Sequence, residues 1–229
     1  MSIVKRKESK TKNSEITYDK LLFLFVFGCV IGVLMEGTFC LITKGHWESH
    51  VVSVFGAFNI LYGAGMVLFY VGAVKLKKFS LLKRVIIMTL TATFLELMAG
   101  LFLRNVLGMR AWNYENSFMN YKGIICIGFS LIWASAAFAF CKLQPRISKK
   151  LEKIKGKTWH STCVIVGIFM AVDLMFTSAF IIRWSERHYG VAAETKIQSY
   201  IDKDAPDDYM QSRFVEWEFL DMIDSVNKL

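Results

Sequence analysis

Apolar residues in this chain gather into five long runs, separated by short polar stretches rich in Lys and Arg. The runs cover approximately Leu21–Ile42, Val51–Val74, Leu82–Leu107, Gly123–Cys141 and Ser161–Ile182. A helix that crosses the hydrocarbon core of a bilayer needs roughly 20 mostly apolar residues, and each run supplies about that length. Both prolines, Pro145 and Pro206, fall outside the runs. Nothing inside them therefore denies a helix its own backbone hydrogen bonds, which lipid demands. The pattern predicts an all-α polytopic membrane protein, a bundle of about five transmembrane helices over residues 21–183. A basic segment, residues 1–20, precedes the bundle, and an acidic tail, residues 184–229, follows it.

Composition agrees with this pattern. Of the 229 residues, 54% are hydrophobic, above the roughly 45–50% of soluble domains, and the mean hydropathy is +0.39. The 28 Lys and Arg residues add an orientation. Lys5, Arg6, Lys7, Lys10, Lys12 and Lys20 precede the first run. Lys75, Lys77, Lys78, Lys83 and Arg84 follow the second, and Lys142, Arg146, Lys149, Lys150, Lys153, Lys155 and Lys157 follow the fourth. Basic residues near span ends stay in the cytoplasm. The N-terminus is therefore expected inside the cell membrane and the C-terminus outside, which requires an odd number of crossings. The apolar run after Lys20 is too long for the core of a cleavable signal and is expected to remain as a span.

The net charge of +9 suggests no nucleic-acid partner, because the cationic excess is spent on topology and on contact with anionic membrane lipids. The tail is acidic. The five cysteines (Cys29, Cys40, Cys126, Cys141, Cys163) all sit in or at the ends of runs, with no CxxC pair, and read as small packing residues. Gly28 and Gly32 form a GxxxG pair, and Ala134, Ser135, Ala136, Ala137 and Ala139 form a small-residue patch. Either feature suits close packing within one bundle or a face between two copies.

Ionisable residues inside the runs carry more information. Glu36, Glu96 and Asp173 each stand in apolar surroundings, where a charge costs roughly 2.5–3.5 kcal/mol on insertion scales. Such residues face partners or a water-filled cavity. They form either a polar cluster that fixes the bundle or a pathway for a proton, cation or substrate. In the second run, Gly56, Asn59, Tyr62, Gly63 and Gly65 suit a locally unwound segment of the kind transporters expose to ligand, and also suit close packing. Between the third and fourth runs, Trp112, Tyr114 and Tyr121 fit a membrane–water interface. Asn113 and Asn120 are expected to build the turns of a small outer cap with Trp112 and Tyr114.

No catalytic motif is present. Gly156-Lys157-Thr158 ends like a phosphate-binding loop, but Leu151 stands where that loop needs glycine. His46 and His50 lack a third ligand near in sequence, so no metal site is expected, and no cofactor is called for. The chain is not expected to be an enzyme, and any ATP-driven step would belong to another chain.

Several blocks resemble the type IV ABC-transporter permease family (CmpB-like) of Firmicute membrane proteins. They are Gly32 with Glu36; Gly56-Ala-Phe-Asn-Ile-Leu-Tyr-Gly-Ala-Gly65; Glu96 with Gly100; Trp112-Asn113-Tyr114 with Asn120, Gly123, Cys126, Ser130 and Trp133; and Asp173 with Ser178, followed by Arg183-Trp-Ser-Glu-Arg187. The resemblance runs from about Leu21 to Tyr209. Ala57 and Ile60 replace two prolines of the family pattern, Asn113 replaces an acid, and the Arg that usually precedes the second span is missing near His50–Val54. The resemblance implies a permease subunit that works with a separate ATPase, with Glu36, Asn59, Tyr62, Glu96 and Asp173 converging on one substrate or ion pathway. Five spans are few for a complete path, so a second copy or another membrane subunit is expected. The alternatives are a membrane scaffold or regulator, in which the same polar residues specify packing, and a membrane-embedded cell-envelope enzyme.

Overall fold

A computed structural model of the chain describes residues 15–221. The basic residues Lys5, Arg6, Lys7, Lys10 and Lys12, and residues 222–229 with Asp224, lie outside the described residues. Among the described residues, four helices are long and apolar enough to cross a bilayer: α1 (Tyr18–Lys44), α3 (Leu81–Leu107), α4 (Ile127–Leu151) and α5 (Lys157–His188). Between α1 and α3 lies a shorter apolar helix, α2 (Ile60–Lys75). Leu90, Phe94, Val106, Ile165, Ile168 and Met175 point outward and are exposed, whereas Glu96 and Asp173 are buried. Apolar side chains outside and carboxylates inside is the distribution that lipid selects. The protein is an all-α polytopic membrane protein.

The second run corrects the expectation of a single helix over Val51–Val74. Residues 46–59 are not helical, and α2, with 16 residues, is about 24 Å long against a hydrocarbon core of about 30 Å. The break has a local cause. Gly56 has φ 79°, outside the helical region, and the Ser53 hydroxyl donates to the carbonyls of Phe55 and Gly56. The extended stretch turns back from the end of α1 into the bundle until the Asn59 N–H reaches the Cys29 carbonyl at 3.1 Å, near the middle of α1. Two α5 side chains satisfy its backbone on the way: Thr177 Oγ1 accepts from the Val54 N–H at 2.8 Å and Asp173 Oδ1 from the Phe55 N–H at 3.0 Å. Irregular backbone survives at such depth only when protein supplies its partners.

From Ile60 the chain continues as α2 towards the far end, packing on α1, α3 and α4. The GxxxG pair belongs to this contact. A Cβ added at Gly28 would lie 2.9 Å from both Met66 Cβ and the Tyr62 carbonyl oxygen, and one at Gly32 would strike the Tyr62 ring. The pair thus lets α2 approach α1 inside one chain. The small-residue patch of α4 does similar work, with Ala137 buried against Phe69, Ala73 and Met88. α4 also runs on through Pro145, four residues beyond the expected span end. All five cysteines are free and buried.

The basic connections meet at one end. There the Tyr70 hydroxyl contacts the Ser148 hydroxyl and donates to the Glu15 carbonyl, and Lys77 pairs with Glu15. At the other end the acidic tail is folded. Helices α6 (Lys196–Asp204) and α7 (Asp207–Arg213) lead to strand β4 (Glu218–Phe219), which pairs antiparallel with β1 (Met109–Arg110) just after α3. Ala205, Met210, Phe214, Trp217 and Phe219 are buried with Val54, Leu103, Leu107, Ile181 and Trp184. Arg183 is buried and held by Asp202 at 2.7 Å and Glu186 at 3.0 Å. A second small ribbon, β2 (Asn120–Tyr121) with β3 (Ile125–Cys126), leads into α4. We call these elements together the cap.

Candidate functional site

α2 packs between α1 and the α3–α4 pair. Because α2 starts only midway, the space above its first turn is not filled by helix. A cavity of about 890 Å³ occupies it, roofed by the cap. That size is ample for a small ligand.

Side chains from four helices and the cap point into it. Helical side chains tilt towards their own N-terminus, so Tyr62, in the first turn of α2, rises into the cavity. Its hydroxyl donates a hydrogen bond to Glu36 Oε1 on α1. On α3, both oxygens of Glu96 are used: the Tyr114 hydroxyl donates to Oε1 at 3.1 Å and the Trp133 indole N–H to Oε2 at 2.9 Å. Two donors, one on each oxygen, suit an acceptor-only carboxylate. Burial, and then the Glu96 carboxylate, push the Tyr114 phenol well above the ordinary range, so it remains a donor. Aromatic faces surround the acids. Tyr62 and Trp133 stand 6.3 Å apart and Tyr114 stacks on Phe129 at 4.4 Å.

The lining is acidic. It includes Glu36, Glu48, Glu96, Glu216 and Glu218 against Lys44 and Arg110. Lys44 is occupied by Glu48 at 2.6 Å and Arg110 by Glu218 at 2.8 Å. Among the described residues, Glu36, Glu96 and Glu216 form no ion pair with Lys or Arg, and His50 faces Glu36 and Glu216 instead. Carboxylates without cationic partners beside aromatic faces form a site that attracts cations. Met35, Leu95 and Phe102 line the cavity and are also exposed, so it has an apolar side mouth between α1 and α3.

Of the residues expected on one pathway, Glu36, Asn59, Tyr62 and Glu96 do share this cavity, and so do Trp112, Asn113 and Tyr114 of the expected cap. Asp173 is not among the lining residues. It is buried on α5, where it accepts from Phe55 and from the Thr177 hydroxyl, and its work is to hold the re-entrant stretch. Asn120 also stands apart: its side chain donates to the carbonyls of Glu115 and Ser117 and accepts from the Gly123 N–H. Asn113 accepts from the Glu115 N–H, so both amides build turns.

Sequence reasoning passed over Trp133 as a lining residue, and over Glu48, His50 and Glu216. The two glutamates sit in polar stretches where acids are ordinary, and Glu216 reaches the cavity only because the tail folds back. His50 has Glu48 two residues before it in sequence, and the fold adds Cys40. The three ligand atoms lie within 4.8 Å of one another.

No curated protein and no solved structure matches this chain. A family model does, over residues 23–178, which takes in the cavity's Glu36, Tyr62, Glu96 and Trp133 but ends before Arg183–Arg187 and short of Tyr209. The matched stretch is well over half of the chain, and its description is Putative ABC-transporter type IV: the protein belongs to that family.

Proposed function

We propose that the chain is the membrane permease subunit of a transporter, energised by a separate ATPase, and that its cavity takes a cationic solute with an apolar body. The observation that carries this reading is the pair Glu36 and Glu96, set in one aromatic-walled cavity and without a Lys or Arg partner among the described residues. Acids at such depth are costly unless a function or a ligand offsets them. An organic ammonium group between the two carboxylates would gain both charge pairing and the faces of Tyr62, Tyr114 and Trp133, an attraction worth about 2 kcal/mol per ring when desolvated.

The half-helix supports the same reading. A transporter binding site is typically built where a helix is interrupted near the bilayer midplane, and α2 begins opposite the middle of α1. The side mouth supports a second copy or another membrane subunit as the missing wall. Under this reading the basic end faces the cytoplasm, the cap lies outside, and the chain performs no chemistry of its own.

The test is to purify the protein from its native membrane and reconstitute it in liposomes. Co-purification of an ATPase whose turnover depends on this chain, and falls with Glu96→Gln, is the expected result. An intact chain that brings no ATPase, and a variant altered only in thermal stability, would favour a packing role for the acids.

A further inference from the structure

We propose that Cys40, Glu48 and His50 form a binding site for a zinc-class divalent ion at the cap-side rim of the cavity. The three residues come from the last turns of α1 and the loop after it. The chain turns back at Gly45, which carries Glu48 and His50 over the helix end to Cys40. Cys40 Sγ lies 2.9 Å from His50 Nε2 and 3.5 Å from Glu48 Oε2, and Nε2 lies 3.7 Å from the same oxygen. Around a tetrahedral zinc with ordinary bond lengths these three edges would be about 3.3–3.6 Å. The Cys40–His50 edge would open by about 0.6 Å and the Glu48–His50 edge close by about 0.3 Å to seat an ion.

The orientation of His50 supports the assignment. Its Nδ1 contacts the Glu216 carboxylate, and Glu36 Oε2 lies 3.9 Å from the same nitrogen. An ionised carboxylate only accepts hydrogen bonds, so Nδ1 carries the proton, and in the neutral ring Nε2 keeps its lone pair towards Cys40 and Glu48. A carboxylate on the far nitrogen of a ligating histidine is how proteins fix the tautomer and raise ligand basicity. Glu216 comes from the folded tail, so the ion would tie α1, the re-entrant loop and the cap together.

The donor set of one thiolate, one imidazole and one carboxylate suits zinc and its borderline-soft neighbours and not magnesium or calcium, which take oxygen ligands. Binding releases the Cys40 thiol proton to solvent, because only the thiolate ligates. It also displaces Lys44, whose ammonium occupies Glu48 Oε2 at 2.6 Å. Lys44 is half exposed and free to swing outwards. Three protein ligands leave a fourth position for water or for His46, whose Nε2 already contacts Glu48 Oε1 at 2.8 Å. This site goes beyond the cavity reading and does not depend on Glu96.

The test uses full-length untagged protein in detergent, stripped with chelator and then dialysed against zinc. Wild type and Glu96→Gln should each retain one zinc per chain by elemental analysis, and cobalt should give a thiolate charge-transfer band. Cys40→Ser and His50→Gln should lose both signals, and Glu216→Gln should weaken zinc binding about 10–100-fold, as loss of a histidine's outer partner does. If Cys40→Ser does not fold, Glu48→Gln reports on the same triangle. No bound zinc in the wild type, or zinc retained in Cys40→Ser and His50→Gln, would overturn the proposal. Loss of cation transport in Glu96→Gln with zinc retained separates this site from the cavity.

Discussion

The backbone N–H of Phe55 donates to Asp173 Oδ1 at 3.0 Å, across 118 residues of chain. This bond, with its neighbour from Val54 to Thr177, fastens the re-entrant stretch to α5 and so leaves room above α2. Asp173→Ala is expected to destabilise the protein by about 1–3 kcal/mol, the cost of leaving a buried donor unsatisfied. Asp173→Asn keeps the acceptor and replaces Oδ2, a buried oxygen with no partner among the described residues, so it should cost less. Thermal unfolding in detergent orders the two. Loss of transport in Asp173→Asn at full stability would instead put this acid on the pathway.

Close approach of α1 and α2 gives a second prediction. Gly32→Leu drives a side chain into the Tyr62 ring; overpacking of this kind costs about 1–3 kcal/mol and moves the hydroxyl away from Glu36. The variant should melt at lower temperature with its oligomeric state unchanged. A variant of full stability that changes only from dimer to monomer would show that the GxxxG pair serves a partner copy.

The cap titrates in acid. The Arg183 guanidinium, with Arg187 beside it, lowers the Asp202 carboxyl from 3.8 to about 2. A carboxyl depressed in the folded state stabilises it above the unfolded value, and that stability is lost as pH falls through the folded value. The melting temperature of wild type should therefore exceed that of Asp202→Asn above about pH 4 and converge with it towards pH 2. A constant difference over that range would show that the pair does not stabilise the cap.

Glu96 is placed by two donors, and removing either should loosen it. Trp133→Phe deletes the N–H on Oε2 while keeping an aromatic wall, at an expected cost of about 1–3 kcal/mol. Unfolding in denaturant measures this. A cost near zero would mean that water replaces the indole without penalty.

The apolar runs of α1, α3, α4 and α5 were legible because lipid leaves few other uses for such segments. The break before α2 was not, because Val51, Val52 and Val54 are as apolar as a helix would be. Only Gly56 and Asn59 hinted at it. Glu36 and Glu96 were legible as buried acids, and so was Asp173, but depth in a span does not say which face a residue takes. The folding of the tail left a signal in Met210, Phe214, Trp217 and Phe219, apolar residues interleaved with the acids that dominated its composition. Glu216 left none, since its partner His50 comes from a distant part of the chain; His50 stood out only beside His46, without the Cys40 that the turn at Gly45 brings to it.

Binding of an organic cation tests the central claim most directly. Tetraalkylammonium ions and a neutral isostere would be titrated into purified wild type, Glu36→Gln and Glu96→Gln, with Trp112 and Trp133 fluorescence as the signal. The cation should bind wild type in preference to the isostere, and each variant should lose roughly tenfold or more, since bonds to charged groups are worth about 1.5–3 kcal/mol. Equal binding of cation and isostere, or variants that bind like wild type, would contradict a cation site between Glu36 and Glu96.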